Sequence, residues 1–169
     1  ELRGAKGIDV LIAALAKLRN AGGPTPSLTI VGNGKDRAGL EQQAVPLGGQ
    51  VRFVGAENAR RAFARGPAAV LPSRAESLPY VVLEAAALAR PLITTDVGGM
   101  REIFGPDSGS LIPPDDVNAL AAAIADLLAN QGAWQDMANR LKKRVAEGFS
   151  VATMTDGVVD GYRAALARR

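Results

Sequence analysis

The sequence predicts an α/β domain, a doubly wound parallel sheet with helices on both faces and extra helices at its C-terminal end. Three observations carry this. Five short apolar runs recur along the chain, each bounded by Gly, Pro, Ser or Asp. Stretches with helical spacing of apolar residues fill the gaps between them. From about residue 115 the apolar runs stop and three helix-like stretches follow one another.

The elements read in order as follows. The opening, ELRGAKG (1–7), is a loop-like entry into a helix. No strand precedes it, although a sheet of this kind normally has one there, so the chain is expected to be a piece of something larger. Ile8, Leu11, Ile12, Leu15 and Leu18 share one helical face, closed by AGGP at 21–24. LTIVG (28–32), VRFVG (51–55), AAVLPS (68–73), PLITTD (91–96) and GSLIP (109–113) are the predicted strands. Such unbroken apolar runs suit strands buried on both faces, as in a parallel sheet. Helices are expected over 35–47, 58–65 and 78–89, and around Glu102. Asp115 or Asp116 is placed to cap a helix that buries Leu120, Ile124, Leu127 and Leu128. Helices over 115–130, 132–148 and 151–167 complete the chain.

At 169 residues the chain suits one domain with a sizeable core. Apolar residues make up 47% and charged ones 22%, an ordinary globular balance. No apolar stretch approaches the ~20 residues that cross a bilayer, and the opening residues lack the pattern of a signal peptide. The net charge of +3, with four Phe, two Tyr and one Trp, argues against nucleic-acid binding. Cysteine and histidine are both absent. That removes disulfides, Cys- or His-based metal sites and His-dependent nucleophiles. Acid–base chemistry would fall to Asp, Glu, Lys or Tyr.

Parallel sheets of this type bind ligands beyond the carboxyl ends of their strands. VGNG (31–34), PSRAES (72–77) and TDVGG (95–99) fall there. Glu76 lies in the loop after a strand. Glu84 lies about a turn and a half into the next helix, where Pro79 suits the first turn and Ser77 or Leu78 the cap. The amides around Tyr80 and Val81 would face the mouth, an anion seat made of backbone. Carboxylates at both ends would accept hydrogen bonds from sugar hydroxyls. Lys6, between Gly4 and Gly7, stands where a phosphate could be reached. VGNG lacks the full dinucleotide spacing because position 37 is Arg. VGGMREI (97–103) reads as a flexible loop leading into a helix. Taken singly, each of these pieces also has an ordinary explanation as a tight turn or a solvated face.

Together, in this order and spacing, they resemble the C-terminal, donor-binding domain of the family 4 (group 1) glycosyltransferases. The resemblance runs through KGIDVLIAALAKL, LTIVGNG, VRFVG, VLPSRAESLPYVVLEAAALARPLITTDVGGMREI and GSLIPPDDVNALAAAIADLL. The long fourth block is the specific one and holds the family's E-x7-E pattern at Glu76 and Glu84. It implies a Rossmann-like core over about 1–130, one half of a GT-B fold, with C-terminal helices over about 131–169. The acceptor-binding N-terminal domain would be absent. It further implies transfer of a sugar from a nucleotide-sugar donor with retention at the anomeric carbon, and no metal or other cofactor.

By position, Lys6 resembles the lysine that meets the diphosphate, Glu84 the acid on the ribose hydroxyls, and Glu76 the acid on the donor sugar. Lys6 and Glu76 are the catalytic candidates. Ser77, Leu78, Tyr80 and Val81 would line the sugar and diphosphate, and Arg52, Val54 and Gly55 would border the base. The sequence departs from the family at two places. Glu1 stands where an arginine is common, so Arg3 is the candidate substitute. Ser77 and Leu78 stand where glycine and an aromatic are common. The implied partners are the donor and the protein's own N-terminal domain, in the cytoplasm. Arg140, Lys142, Lys143 and Arg144 form a candidate peripheral contact with the inner face of a membrane. The alternatives are a nucleotide-sugar epimerase or phosphorylase on the same plan, a binding-only domain, and a receiver-like module that would need further acids around Asp96.

Overall fold

In the computed structural model, residues 1–77 and 79–167 are described. Helix α1 (Ile8–Asn20) is followed by strand β1 (Leu28–Val31), helix α2 (Arg37–Ala44) and strand β2 (Val51–Val54). Then come α3 (Ala59–Phe63), β3 (Ala69–Leu71), α4 (Tyr80–Ala87), β4 (Leu92–Thr94) and α5 (Met100–Phe104). Three helices close the chain: α6 (Val117–Ala129), α7 (Gln131–Gly148) and α8 (Val151–Ala167).

All strand pairing is parallel, as the unbroken apolar runs predict, but the ladder is in two pieces. β1 pairs with β2, Leu28 opposite Val51 and Val31 opposite Val54. β3 pairs with β4, Ala69 opposite Leu92 and Leu71 opposite Thr94. Among the described residues neither pair bonds to the other. The fifth predicted strand shrinks to one parallel bridge, Thr95 with Ile112. Gly105–Ser110 is a 3-10 stretch instead, and Pro113 and Pro114 bring no N–H with which to prolong a ladder.

The helices form where their apolar spacing and caps put them. The Asp116 carboxylate accepts the amides of Asn118 and Ala119 at 2.9 and 2.8 Å and so starts α6. Asn58 does the same for α3 through the Arg61 amide. Pro46 falls in a 3-10 stretch, Val45–Gln50, that ends α2 three residues earlier than its apolar pattern suggested. α1 packs on α6 and on α2, while α4 packs on α7 and on α3. Leu11, Ile12, Leu15, Leu120, Ile93, Met100, Ile103 and Phe104 are buried in the shared core. α8 buries none of its residues and exposes Val151, Met154, Val158, Tyr162 and Leu166.

Leu120 is fully buried on α6. Leu120→Ala is expected to cost about 2–5 kcal/mol through lost transfer energy and the cavity left behind. Urea unfolding should show a lowered midpoint with an unchanged slope.

Candidate donor site at the carboxyl ends of the strands

The candidate site is built where residues 1–7 meet the loop between β3 and α4. Gly4–Lys6 form one 3-10 turn, with the Lys6 amide on the Arg3 carbonyl at 2.8 Å. Gly7 breaks that turn with φ 63° and opens α1. A Cβ on Gly7 would lie 1.9 Å from the Pro72 carbonyl oxygen, so only glycine lets the turn press against the end of β3. This close approach, plus a bond from the Arg74 amide to the Ala5 carbonyl (2.8 Å), brings Lys6 over the β3–α4 loop.

There Lys6 Nζ donates to Glu76 Oε1 at 2.5 Å, and Ser73 Oγ donates to the same oxygen at 2.8 Å. The Glu76 side chain is 13% exposed and that of Lys6 27%. Burial pushes the Glu76 carboxyl up. The hydrogen bonds from Lys6 and Ser73 outweigh it, with help from the Lys6 and Arg3 charges, and hold the group below its ordinary value. Glu76 is therefore ionised at neutral pH.

A second glycine holds Glu76 from the other side. Gly98 has φ 54°, and a Cβ there would fall 1.8 Å from the Glu76 carbonyl oxygen. The VGG segment is thus a close-packed turn rather than the flexible loop expected. Thr95 Oγ1 donates to the Ser73 carbonyl at 2.5 Å and Thr94 Oγ1 to the Leu71 carbonyl at 2.9 Å, fixing the ends of β3 and β4 together.

Arg74 carries no cue in the sequence, yet it is the hub of this corner. It grips both Asp9 carboxylate oxygens at 2.8 and 2.6 Å and Asp115 at 2.6 Å, and it also meets the Gly4 carbonyl. The Arg74 hydrogen bond holds the Asp9 carboxyl below its ordinary value, against the opposing effect of burial. Asp115 reaches Arg74 from a left-handed backbone, φ 59°, a conformation aspartate tolerates. The sequence left the α6 cap open between Asp115 and Asp116; Asp116 takes it and Asp115 serves Arg74.

Helix α4 begins at Tyr80, with Pro79 at the cap position rather than inside the first turn, and no side chain caps it. Ser77 is exposed in the loop and is not the cap, and Leu78 lies outside the described residues. The Val82 and Leu83 amides turn inward to the Pro79 carbonyl, whereas those of Tyr80 and Val81 have no backbone partner among the described residues. Tyr80 is exposed and Val81 half-buried. Glu84, one turn further, is exposed and makes no side-chain bond among the described residues. Arg3 is exposed and pairs with Glu1 at 3.4 Å. Arg52 is exposed on β2, and Val54 and Gly55 end that strand, where both carbonyls accept the Gly32 amide. The structure thus joins Lys6, Ser73 and Glu76 directly, and sets Glu84 and the Arg52–Gly55 segment apart from them.

The basic face foreseen on α7 is partly spent inside the fold. Arg140 bonds Asp107, with Nη2 at 2.7 Å, and Arg144 bonds the carbonyls of Glu102 and Ile103. Asp96 pairs with Arg101. Among the described residues no group of three or more acids, His or Cys is placed to hold a metal ion. None of the described helices is long and apolar enough to cross a membrane.

The sequence profile described as "Glycosyl transferases group 1" matches residues 1–130. The chain belongs to this family. It is 36% identical over 166 residues to a glycogen synthase of Mycobacterium tuberculosis, covering 95% of this chain and 40% of that protein. Its fold matches that of a sucrose-phosphate synthase from Thermosynechococcus elongatus with TM-score 0.81 at 29% identity, over 99% of this chain and 44% of that one. The C-terminal domain of a group 1 glycosyl transferase from Francisella tularensis matches with TM-score 0.75 over 89% of this chain and 83% of that domain. At 21% identity that likeness concerns the fold. The chain spans less than half the length of the two full-length relatives.

Gly98→Ala is expected to push the Glu76 backbone aside and lower the melting temperature, because the clash is with backbone on a left-handed glycine. Gly99→Ala, which meets the Ser77 carbonyl only at ordinary contact distance, 3.5 Å, should be close to neutral. Thermal melts of the two variants check the pair. The depressed Glu76 and Asp9 carboxyls also predict a pH profile. Their stabilisation is complete above the ordinary carboxylate range, about pH 4, and is lost as pH falls through their lowered values. Glu76→Gln should flatten that acid limb in pH-dependent denaturation.

Proposed function

We propose that this chain is the donor-binding domain of a retaining glycosyltransferase, one Rossmann-like half of a GT-B enzyme whose other half binds the acceptor. The observation that carries the reading is the Lys6–Glu76–Ser73 cluster beside the uncapped start of α4. A half-buried cation and backbone amides without a backbone partner among the described residues suit a diphosphate, and an ionised carboxylate suits sugar hydroxyls. The family supplies the reaction class. The C-terminal domain matched in the fold comparison supports treating residues 1–169 as one unit, with the core over about 1–130.

In this reading the Lys6 ammonium and the Tyr80 and Val81 amides stabilise negative charge that grows on the departing nucleoside diphosphate. Glu76 holds Lys6 in place and turns to the sugar when phosphate oxygens take over the ammonium. Ser73 keeps the carboxylate oriented throughout. Arg3 adds charge once it leaves Glu1, since an exposed pair of that kind is worth only about 0–1 kcal/mol. Glu84 receives the ribose hydroxyls from its exposed place on α4, and Val54, Gly55 and Arg52 border the base. Ser77 flanks the sugar. The donor is the only small molecule this reading requires, with no metal. The exposed apolar side of α8 suits packing against the rest of the longer protein. A cytoplasmic location suits the use of a nucleotide-sugar donor. Lys142 and Lys143, the two members of the α7 basic group not bonded back to α5 or its following turn, suit contact with an anionic inner membrane face.

Calorimetry with uridine and guanosine diphosphates tests this directly. The 169-residue chain should bind one of them weakly and Lys6→Ala should abolish the heat, while turnover by the chain alone should be negligible. In the full-length enzyme, losing the Lys6 donor should cost about 10²–10³ in rate. Equal binding by the parent and Lys6→Ala would contradict the assignment.

A further inference from the structure

The turn that presents Lys6 is not held by packing. None of its residues, Gly4–Lys6, is buried. Behind it lies a cavity of about 490 Å³, lined by Gly4, Ile8, Gly39, Leu40 and Gln43, with Arg74 on one wall. A turn with open space at its back keeps its place through hydrogen bonds, and Arg74 supplies two of them. The Arg74 amide donates to the Ala5 carbonyl at 2.8 Å, and its Nη1 donates to the Gly4 carbonyl. The Gly4 carbonyl also accepts the Gly7 amide at 3.1 Å, so both of its lone pairs are in use. Arg74 follows Ser73 directly and stands two positions before Glu76. The residue that ties down the lysine turn therefore sits between the two groups that meet the lysine.

Arg74 is itself fixed from two further elements. Nη1 and Nη2 grip the two carboxylate oxygens of Asp9, in the first turn of α1, at 2.8 and 2.6 Å. Nε meets Asp115, just before α6, at 2.6 Å. Four of the five guanidinium N–H groups are thereby spent, and two carboxylates face one positive charge. Such a group has little left to offer a phosphate. A planar fork also fixes direction in a way that a single ammonium does not. The charges that weigh on the Glu76 carboxyl are those of Lys6 and Arg3, so Arg74 acts on it through the chain rather than through its own field.

We propose that Arg74 is a positioning residue of the donor site: it holds the Gly4–Lys6 turn in register with the β3–α4 loop, so that the Lys6 ammonium meets Glu76 and faces the place of the diphosphate. The functional half of this rests on the donor reading above, while the geometric half stands without it. Asp9 and Asp115 are the outer ends of the device. Without the fork, the turn settles back toward the cavity and Lys6 draws away from a carboxylate that stays largely buried.

The test follows the side-chain carboxyl carbon of Glu76 by NMR across pH, in the 169-residue chain without ligand. It compares the parent with Arg74→Lys, Asp9→Asn and Leu120→Ala. Arg74→Lys keeps the positive charge and loses the fork, so a change at Glu76 reports position and not charge. The Glu76 midpoint should move upward in Arg74→Lys, because burial persists while the bond from Lys6 weakens. It should move the same way, by less, in Asp9→Asn. Leu120→Ala, which loosens the core alone, should keep the parent's midpoint. Affinity for whichever of uridine and guanosine diphosphate the parent binds should fall about tenfold in Arg74→Lys, the lower end of what losing a partner of a ligand-holding side chain costs. An unchanged Glu76 midpoint in Arg74→Lys overturns the proposal. If that variant does not fold, an unchanged midpoint in Asp9→Asn overturns it instead. Lost affinity with an unchanged midpoint also overturns it, assigning Arg74 to direct contact with the nucleotide. A parent that binds neither diphosphate counts against the donor reading alone, and the Glu76 midpoints still decide whether Arg74 holds the corner.

Discussion

One ion pair closes the corner of this fold on which the candidate chemistry rests. Lys6 arrives from the first turn of the chain and Glu76 from the loop after β3, seventy positions on, and they meet at 2.5 Å with little solvent between them. An exposed pair of this kind would be worth little. Here both groups are largely withdrawn from water, so each depends on the other to justify its charge. The backbone contacts around the pair all serve to bring it together. Gly7 lets the lysine turn touch Pro72, Gly98 lets the β4–α5 turn touch Glu76, and Arg74 ties the turn to Asp9 and Asp115.

The arrangement also explains how one corner can hold opposite charges in place. Glu76 remains ionised because Lys6 and Ser73 together outweigh its burial. Lys6 in turn is kept from wandering as a solvated lysine would. In the proposed reading, phosphate oxygens would compete for the ammonium with a carboxylate that has sugar hydroxyls to turn to. That exchange would replace one set of charge-assisted bonds by another and leave neither partner stranded.

Much of the fold was legible in the sequence. Short apolar runs between breakers marked four strands, and their two-sided apolarity indicated parallel pairing. The Asp at 115–116 and the spacing of Leu120, Ile124, Leu127 and Leu128 marked α6. What failed to show was long-range. Runs such as LTIVG and AAVLPS say that a strand forms but not which strand lies beside it, so the split of the sheet was invisible. GSLIP read as a strand because it is a short apolar run between breakers, yet the prolines after it limit the ladder to one bridge. In the site, Lys6 and Glu76 stood out through their place in a recurrent pattern. Arg74 did not, because its partners Asp9 and Asp115 lie 65 and 41 positions away and nothing local distinguishes it from a surface arginine. Gly98 read as a loosening residue, whereas its positive φ and contact with the Glu76 carbonyl make it a tightening one. Where Glu84 acts is likewise beyond local pattern, since an exposed glutamate on a helix looks the same with or without a ligand to hold.

The most direct measurement is a double-mutant cycle on folding stability with Lys6→Met, Glu76→Gln and the two combined, each unfolded in urea. If the pair acts as one unit across the corner, the single changes should together cost more than the double variant does. The coupling should be about 1–3 kcal/mol, clear of the roughly 0.5 kcal/mol within which independent sites add. Additive costs would mean that the two charges stand side by side without depending on each other, and the account of this corner would be wrong.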